Sequence, residues 1–581
     1  MRRRDFTLLL PASAFAQRAA ISTAVDPVLK AMKDEMARSR PLGIAGGQPI
    51  YFIECALDDA RSFTASASLG ALFSSRSQAF RVPRAAIRVG DKKFDNTNYM
   101  FSELFMGSRF DPEQFPLDNS LPAMRQVLWL AIDRAYKTAI EAIGRKRAAL
   151  RNITQTEELP DFSDVTPLKL IEPVPDFNLD ENAWKGKIAR LSKIFAAYPE
   201  VFTSSVELEA SRDVYYYANS DESEIRYTEM MSHVRANATA QAPDGMRIRD
   251  SYTFVGSDIS KLPSEAEMES GIKAVAENLR ALSKATPGES YSGPVMFESV
   301  AAAQLFADLV GSQAAAVRRP VAEPGRPMNL PAGEYEGRVN ARVMPSSFTV
   351  VDDPTQKEYK GRPLMGHFPA DLEGVASQPV VIVEKGNFKN FLATRVPNRE
   401  STKSNGHARL PGSFGGYVAQ MSNLFVKSDD GIAPVQLRQK FLDLIKQRNK
   451  PYGMLIRKLD YPSTASFEEI RSVLSGSTTR PAALPLLAYK VYPDGREELV
   501  RGLRFRGLNA RSLRDITASG TDEVQFDFIG NGAPFSIVGG GTYVFGCSVV
   551  APSLLFEDLE LERPQIELPK LPVVPAPPLT A

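Results

Sequence analysis

Between Gly293 and Val310 the chain reads GPVMFESVAAAQLFADLV, the stretch that most restricts what the rest can build around it. A short apolar run, Pro294 to Phe297, passes into apolar or small residues at Val300, Ala301, Leu305, Ala307 and Leu309. That pattern predicts a strand end or turn feeding a mostly buried helix. Glu298 stands at the mouth of the helix, where a carboxylate must be paired, protonated or in use. Two readings stay open for it: a helix-start Glu favoured by the N-terminal dipole, or a chemical group.

The flanking sequence supplies the fold class. Val28, Leu29, Met32 and Met36 have helical spacing within Val25 to Arg40, and Pro41 ends that helix. Pro49 to Leu57, Ser62 to Phe73 and Phe80 to Val89 read as three strands, and Asp91 to Pro116 as loop. Leu121 to Leu150 is a long helix with Met124, Leu128, Ile132, Tyr136, Ile140 and Ile143 near one stripe, a core or partner face. A proline-rich connector, Pro160 to Pro175, precedes a helix over Ala183 to Tyr198. Val201 to Ala242 is β-rich, with Asn219, Ser220 and Asp221 as turn residues. Ser264-x-x-Glu267 caps a helix running to about Lys284.

From Arg338 onward strands and turns dominate, as at Ser347 to Val351, Val380 to Val383, Asn423 to Val426, Leu486 to Tyr492, Glu498 to Arg506 and Gln525 to Phe528. Gly412 to Gly416 and Gly539 to Gly541 mark turns. The expected class is α+β. An N-terminal α+β domain covers 17–288, with antiparallel strands and a helical insertion at 117–200. A large curved or barrel-like antiparallel β domain covers 289–562, and a Pro-rich tail follows over 563–581.

Charge and address narrow the function. Lys plus Arg (70) nearly cancels Asp plus Glu (69) over 581 residues, so no global field recruits nucleic acid. No stretch reaches the run of about 18 apolar residues that a membrane span needs. MRRRDFTLLLPASAFAQ has an Arg run before Phe6, an apolar patch and an Ala14-Phe15-Ala16 cleavage pattern. Residues 1–16 therefore resemble a twin-arginine leader, which implies export to the periplasm or beyond; a cytoplasmic protein with an ordinary N-terminus is the alternative. Cys55, in the apolar run YFIECAL, reads as a core thiol. No CxxC pair announces structural zinc.

Several segments, in order, resemble the TldD/PmbA family, described as metallopeptidases and as modulators of DNA gyrase. They are Tyr217 to Gly245, FTVVDDPTQ (Phe348 to Gln356), VIVEKGNFKNFLATR (Val381 to Arg395), STKSNGHARLPG (Ser401 to Gly412) with MSNLFV (Met421 to Val426), and Tyr489 to Gly507. The resemblance is nearest to the non-catalytic PmbA (TldE) half. It implies that catalytic members carry His-Glu-x-x-x-His on a helix plus a late Cys ligand, with the Glu activating zinc-bound water. On this chain Glu298 takes the general-base position, as its remnant. The two His positions are Phe297 and Ala302, and the late ligand position is Thr542, with Cys547 close by.

Zinc, expected for active relatives, is not supported here, and no other cofactor is expected. Only His233, His367 and His407 occur in the chain. His233, in a strand, reads as a surface or interface residue, and His367 as a turn residue that could be recruited. His407 and Arg409, with Cys547, read as substrate or cavity contacts.

The expected role is a non-catalytic partner subunit or peptide-binding component of a proteolytic assembly. Its partners would be a peptide and either a second copy or a metal-bearing TldD-like paralogue. Two alternatives are an active hydrolase with a different site and a structural, peptide-binding homodimer. A Ser-His-Asp hydrolase would need a Ser near one of the three His, and only Gly412-Ser413 hints at one.

Overall fold

The computed structural model describes residues 26–43, 47–102, 115–151, 158–298, 300–323, 325–326, 333–410, 416–462, 484–530 and 544–565, with scattered positions of the tail. The leader, Thr542, the Gly539 to Gly541 turn, most of the Gly412 to Gly416 turn and much of the Pro-rich tail lie outside the described residues.

Two 19-residue strands, β1 (Ile50–Ser68) and β2 (Ala71–Val89), form one long hairpin. Three strands were expected here, with a break after Leu57 and one strand running through Leu69. The structure does the reverse. Leu69 and Gly70, at φ 50° and 89°, make a two-residue turn, the backbone that matches the twist of flanking strands. Asp58 and Asp59 stay within β1 because Arg84 and Arg81 of β2 pair with them at 3.2 and 2.8 Å.

Strands β3 (Val201–Asn219) and β4 (Glu224–Gln241) extend this sheet in the order β2-β1-β3-β4, and β5 (Arg247–Gly256) pairs with β4. Asn219 closes the β3–β4 turn as expected, its Oδ1 accepting from the amides of Asp221 and Ser223 at 3.1 and 3.0 Å. Four helices cover one face. Helices α1 (Pro27–Ser39) and α2 (Leu121–Leu150) bury Ile53, Cys55, Leu57, Val214 and Tyr216. Helices α3 (Glu181–Lys193) and α4 (Glu265–Lys284) bury Phe63, Ala65, Val206 and Leu208. The predicted capping box forms: Ser264 Oγ accepts from the Glu267 amide, and the Glu267 carboxylate from the Ser264 amide at 2.8 Å. Because strand side chains alternate, the opposite face presents Asp58, Ala60, Ser62, Glu209, Ser211 and Asp213.

The C-terminal half opens with β6 (Tyr291–Phe297) and the buried helix α5 (Val300–Phe306), which continues as a π-type turn over Ala307–Gly311. Next come β7 (Phe348–Asp352), β8 (Val380–Glu384), β9 (Asn423–Ser428), helix α6 (Pro434–Gln447) and β10 (Gly453–Leu459). Strands β11 (Pro485–Val491), β12 (Glu497–Arg501), β13 (Val524–Gly530), β14 (Phe545–Ala551) and β15 (Leu554–Glu562) follow. Among the described residues these strands form two large sheets, one six-stranded and centred on β8-β7-β9-β14-β13, the other eight-stranded and centred on β15-β6-β10-β11-β12. Pairing is mostly antiparallel, as expected, but β6 with β10 and β9 with β14 are parallel. Helix α6 had not been read from the sequence, although Leu437, Phe441 and Ile445 recur every fourth residue and are fully buried.

A tyrosine-rich seam joins the halves. Tyr215, Tyr217, Ile225 and Tyr227 pack with Ala370, Leu372 and Leu410, and Tyr215 OH donates to the Leu372 carbonyl at 2.8 Å. Gly374, at φ 78°, permits this approach: a Cβ there would meet the Tyr217 ring at 2.5 Å. Among the described residues no helix is long and apolar enough to cross a membrane.

Candidate functional site

The predicted strand-to-helix passage is present, and its residues have separate fates. Phe297 ends β6, paired with Ile456 on one side and Leu554 on the other, and its ring is fully buried. Phe505 stacks on it at 5.6 Å and Phe556 meets it edge-on at 5.5 Å. Ala302 is fully buried in α5, within the same apolar cluster as Phe297 and Cys547. Glu298 leaves the strand: its amide donates to the Ile456 carbonyl at 3.0 Å and its own carbonyl accepts from Ala301 at 2.9 Å. Its carboxylate accepts from Arg457 Nε at 2.8 Å. Arg457 also pairs with Glu497 at 2.9 Å, and Glu497 with Arg438 at 2.7 Å, so Glu298 ends a chain of alternating charges.

His407 is fully buried. Its Nε2 lies 3.1 Å from Asp352 Oδ1, and its Nδ1 lies 3.0 Å from the Asn405 carbonyl and 3.1 Å from Asn405 Oδ1. Asp352 in turn accepts from the Ser422 amide at 2.9 Å and from its hydroxyl. Ser, Asp and His thus meet in the order Ser422–Asp352–His407, with the hydroxyl bonded to the carboxylate and not to the imidazole. A general base must hold the nucleophile's proton, so this arrangement lacks the geometry of a Ser-His-Asp hydrolase. Arg409 donates to Glu229 at 2.9 Å and stacks on Phe368 at 3.6 Å, tying the C-terminal half to β4. Cys547 faces the Met421 carbonyl at 3.6 Å, and burial pushes its thiol up.

His233 departs from the expectation of a surface or interface position. It is 7% exposed, lies opposite Glu209 in the sheet, and burial pushes it down to about 3. The cause is that β4 is an inner strand flanked by β3 and β5, whereas single-sequence reading carries no sheet order. His367 lines a cavity, with Nδ1 2.8 Å from the Pro354 carbonyl.

Two cavities flank the seam. One, of about 700 Å3, is bordered by Val300 and Gln304 of α5 together with Arg457, Asp460, Asp250 and Asp527. Gln304 is locked there by bonds to the Leu459 amide and carbonyl and to the Tyr461 carbonyl. The other, of about 1100 Å3, lies over the open face of the N-terminal sheet and is bordered by Asp58, Asp213, Glu229, His367, Arg409 and Gly546.

Residues 290–480, which contain the Glu298 passage, match the family model of the PmbA/TldA metallopeptidase C-terminal domain. Over those residues the chain is similar to the PmbA/TldD family. A 91-residue segment is 37% identical to a protein named metalloprotease from Archaeoglobus fulgidus, an alignment covering 16% of this chain and 20% of that relative's length. The fold is similar to that of TldE from Thermococcus kodakarensis, with TM-score 0.55 and 14% identity over 92% of this chain and 100% of that one. It is equally similar to a protein described as a modulator of a DNA gyrase from Thermotoga maritima, with TM-score 0.55 and 14% identity over 92% and 99% of the two chains. At such identities the solved structures speak for the fold.

The zinc ion that the His-Glu-x-x-x-His resemblance implies does not fit the residues at these positions. Phe297 and Ala302 offer no lone pair, and Cys547 is enclosed in the apolar core. Among the described residues no group of three or more His, Cys, Asp or Glu side chains is arranged to hold a metal ion. Sequence reasoning missed the carboxylates of the larger cavity. Their signal was present as polar residues at every second position, Glu209, Ser211 and Asp213, interleaved with Leu208, Ala210 and Val214.

Proposed function

We propose that this chain is a non-catalytic, peptide-binding member of the PmbA/TldD family that works beside a metal-bearing paralogue, or as a second copy of itself, in a proteolytic assembly. The observation that carries the reading is the chemistry at the motif. Both positions where the family resemblance expects imidazoles are hydrocarbon inside the core, and the remaining carboxylate, Glu298, is engaged by Arg457. A general base needs a water to activate, and without ligand atoms nothing holds that water at Glu298. Peptide binding is supported by the open cavities of about 700 and 1100 Å3 at the seam, which are deep enough to take side chains. We further infer that residues 1–16 direct export as a folded protein; replacing Arg3 and Arg4 by Lys is expected to leave the protein in the cytoplasm on cell fractionation.

The test is elemental analysis of the purified chain, with peptidase assays on the chain alone and with a His-Glu-x-x-x-His paralogue recovered by pull-down. Substoichiometric zinc, inactivity alone and activity in the reconstituted pair are expected. Stoichiometric zinc together with peptidase activity of the chain alone would sink the proposal.

A further inference from the structure

The larger cavity has an electrostatic character that peptide binding in general does not require. Its floor is the open face of the N-terminal sheet, where Ala60, Ser62 and Ser211 are too short to fill the space above them. Carboxylates rise from three neighbouring strands: Asp58 on β1, Glu209 and Asp213 on β3 and Glu229 on β4. The register sets Asp213 directly opposite Glu229 on one side and Ala60, two residues beyond Asp58, on the other.

The chain meets only part of this charge. Arg84 donates to Asp58 Oδ2 at 3.2 Å, and Arg409 donates to Glu229 at 2.9 Å. Among the described residues Asp58 Oδ1 and Asp213 Oδ1 have no hydrogen-bond partner, although Asp58 is only 7% exposed. Acceptors left bare in a buried site carry a desolvation cost that an incoming donor would recover. Burial, with the neighbouring carboxylates, holds Asp213 well above the usual carboxylate range, as expected of a charge lacking its counter-ion. On the facing wall burial pushes His367 down, against the opposing effect of its bond to the Pro354 carbonyl, and Lys357 stands exposed.

We propose that this cavity is a subsite for an arginine side chain of a bound peptide, with Asp213 and Asp58 as the acceptors for its guanidinium. The carboxylates are too dispersed to form a metal cluster. A guanidinium, whose five donors spread across a rigid fork, reaches separated acceptors where a point cation would not. The inference rests on the peptide-binding reading above and names the side chain that such a peptide would present.

Fluorescence anisotropy with the full chain tests it, using two labelled peptides that differ only by arginine or citrulline at the central position. The arginine peptide is expected to bind about tenfold or more tightly, since hydrogen bonds between ionised partners are stronger than those of the neutral citrulline ureido group. Asp213→Asn and Asp58→Asn, each checked for folding by circular dichroism, should erase that preference. Equal binding of the two peptides by the unaltered chain, or a preference surviving in both folded variants, overturns the subsite and leaves the peptide reading standing. Binding of neither peptide overturns both.

Discussion

Phe297 is held by two aromatic rings at the end of an inner strand, in the position where the family resemblance expects a metal ligand. Its truncation, Phe297→Ala, should destabilise the protein by about 3–5 kcal/mol, read as a lowered denaturant midpoint, because a fully buried ring leaves a cavity. Glu298→Gln belongs to a different class. The Glu298–Arg457 pair is partly exposed, at 29% and 37% of the two side chains, so its loss should cost at most about 1 kcal/mol. A large effect of Glu298→Gln beside a small one of Phe297→Ala would invert this assignment. Residue-level reading from sequence singled out Glu298, Phe297 and Ala302 because a motif with fixed spacing, taken from the family resemblance, names positions without a fold. It could not find Arg457, which lies 159 positions away and reaches Glu298 only through the parallel pairing of β6 and β10.

Among the elements, helix α2 shows how a long amphipathic segment is fixed in place. Its stripe was legible, and Met124, Leu128, Ile132, Tyr136 and Ile143 are buried as the spacing implied. The anchor was not legible, since it is a lysine. Lys146, 2% exposed, donates to Asp161 at 2.5 Å and to the carbonyls of Asp95 and Thr97 at 3.0 and 2.7 Å. Lys146→Met would orphan both carbonyls and leave Asp161 with Arg318, at 3.1 Å, and the neutral donors Asp95 N and Asn98 Nδ2. A loss of about 3 kcal/mol is expected, the lower end of what removing one partner of a buried pair costs, measured by chemical denaturation. Helix α6 and the β1–β2 turn were missed for related reasons. A short amphipathic helix among strands has too few turns to stand out, and polar residues in a strand look like a loop until their cross-strand arginines are known.

At the scale of the whole molecule, the seam between the halves holds buried acids that make stability depend on pH. Glu373, beside Gly374 in the loop that docks on the tyrosines, accepts from the Arg395 amide at 2.6 Å. Burial, with the charge of Asp371 beside it, pushes Glu373 up to about 8. A carboxyl whose folded pKa is raised keeps its proton in the folded state at pH values where the unfolded chain has released it. Folding then takes up protons, and stability falls as pH rises from about 4.3, the unfolded value, to the folded one. Thermal melts between pH 5 and about 9 should show this decline. Glu373→Gln should flatten it; an unchanged slope in the variant would remove Glu373 as the cause. The fold class was legible in the sequence because strand and helix periodicities are local. The seam was not, because it depends on which distant segments meet.

The placement of β15 beside β6 sets the order of assembly. Residues 554–562 occupy an interior position of the eight-stranded sheet, against a strand that begins at Tyr291, and β14 completes the other sheet beside β9. Neither C-terminal sheet can close during synthesis until those late residues have left the ribosome. High contact order of this kind makes folding slow and leaves β6 with an unpaired edge in the nascent chain. The N-terminal sheet, whose hairpins are sequential neighbours, can form early and wait. A nascent chain of this protein is therefore a folded half tethered to an adhesive one, and chaperone capture should concentrate on the stretch between Tyr291 and Leu554.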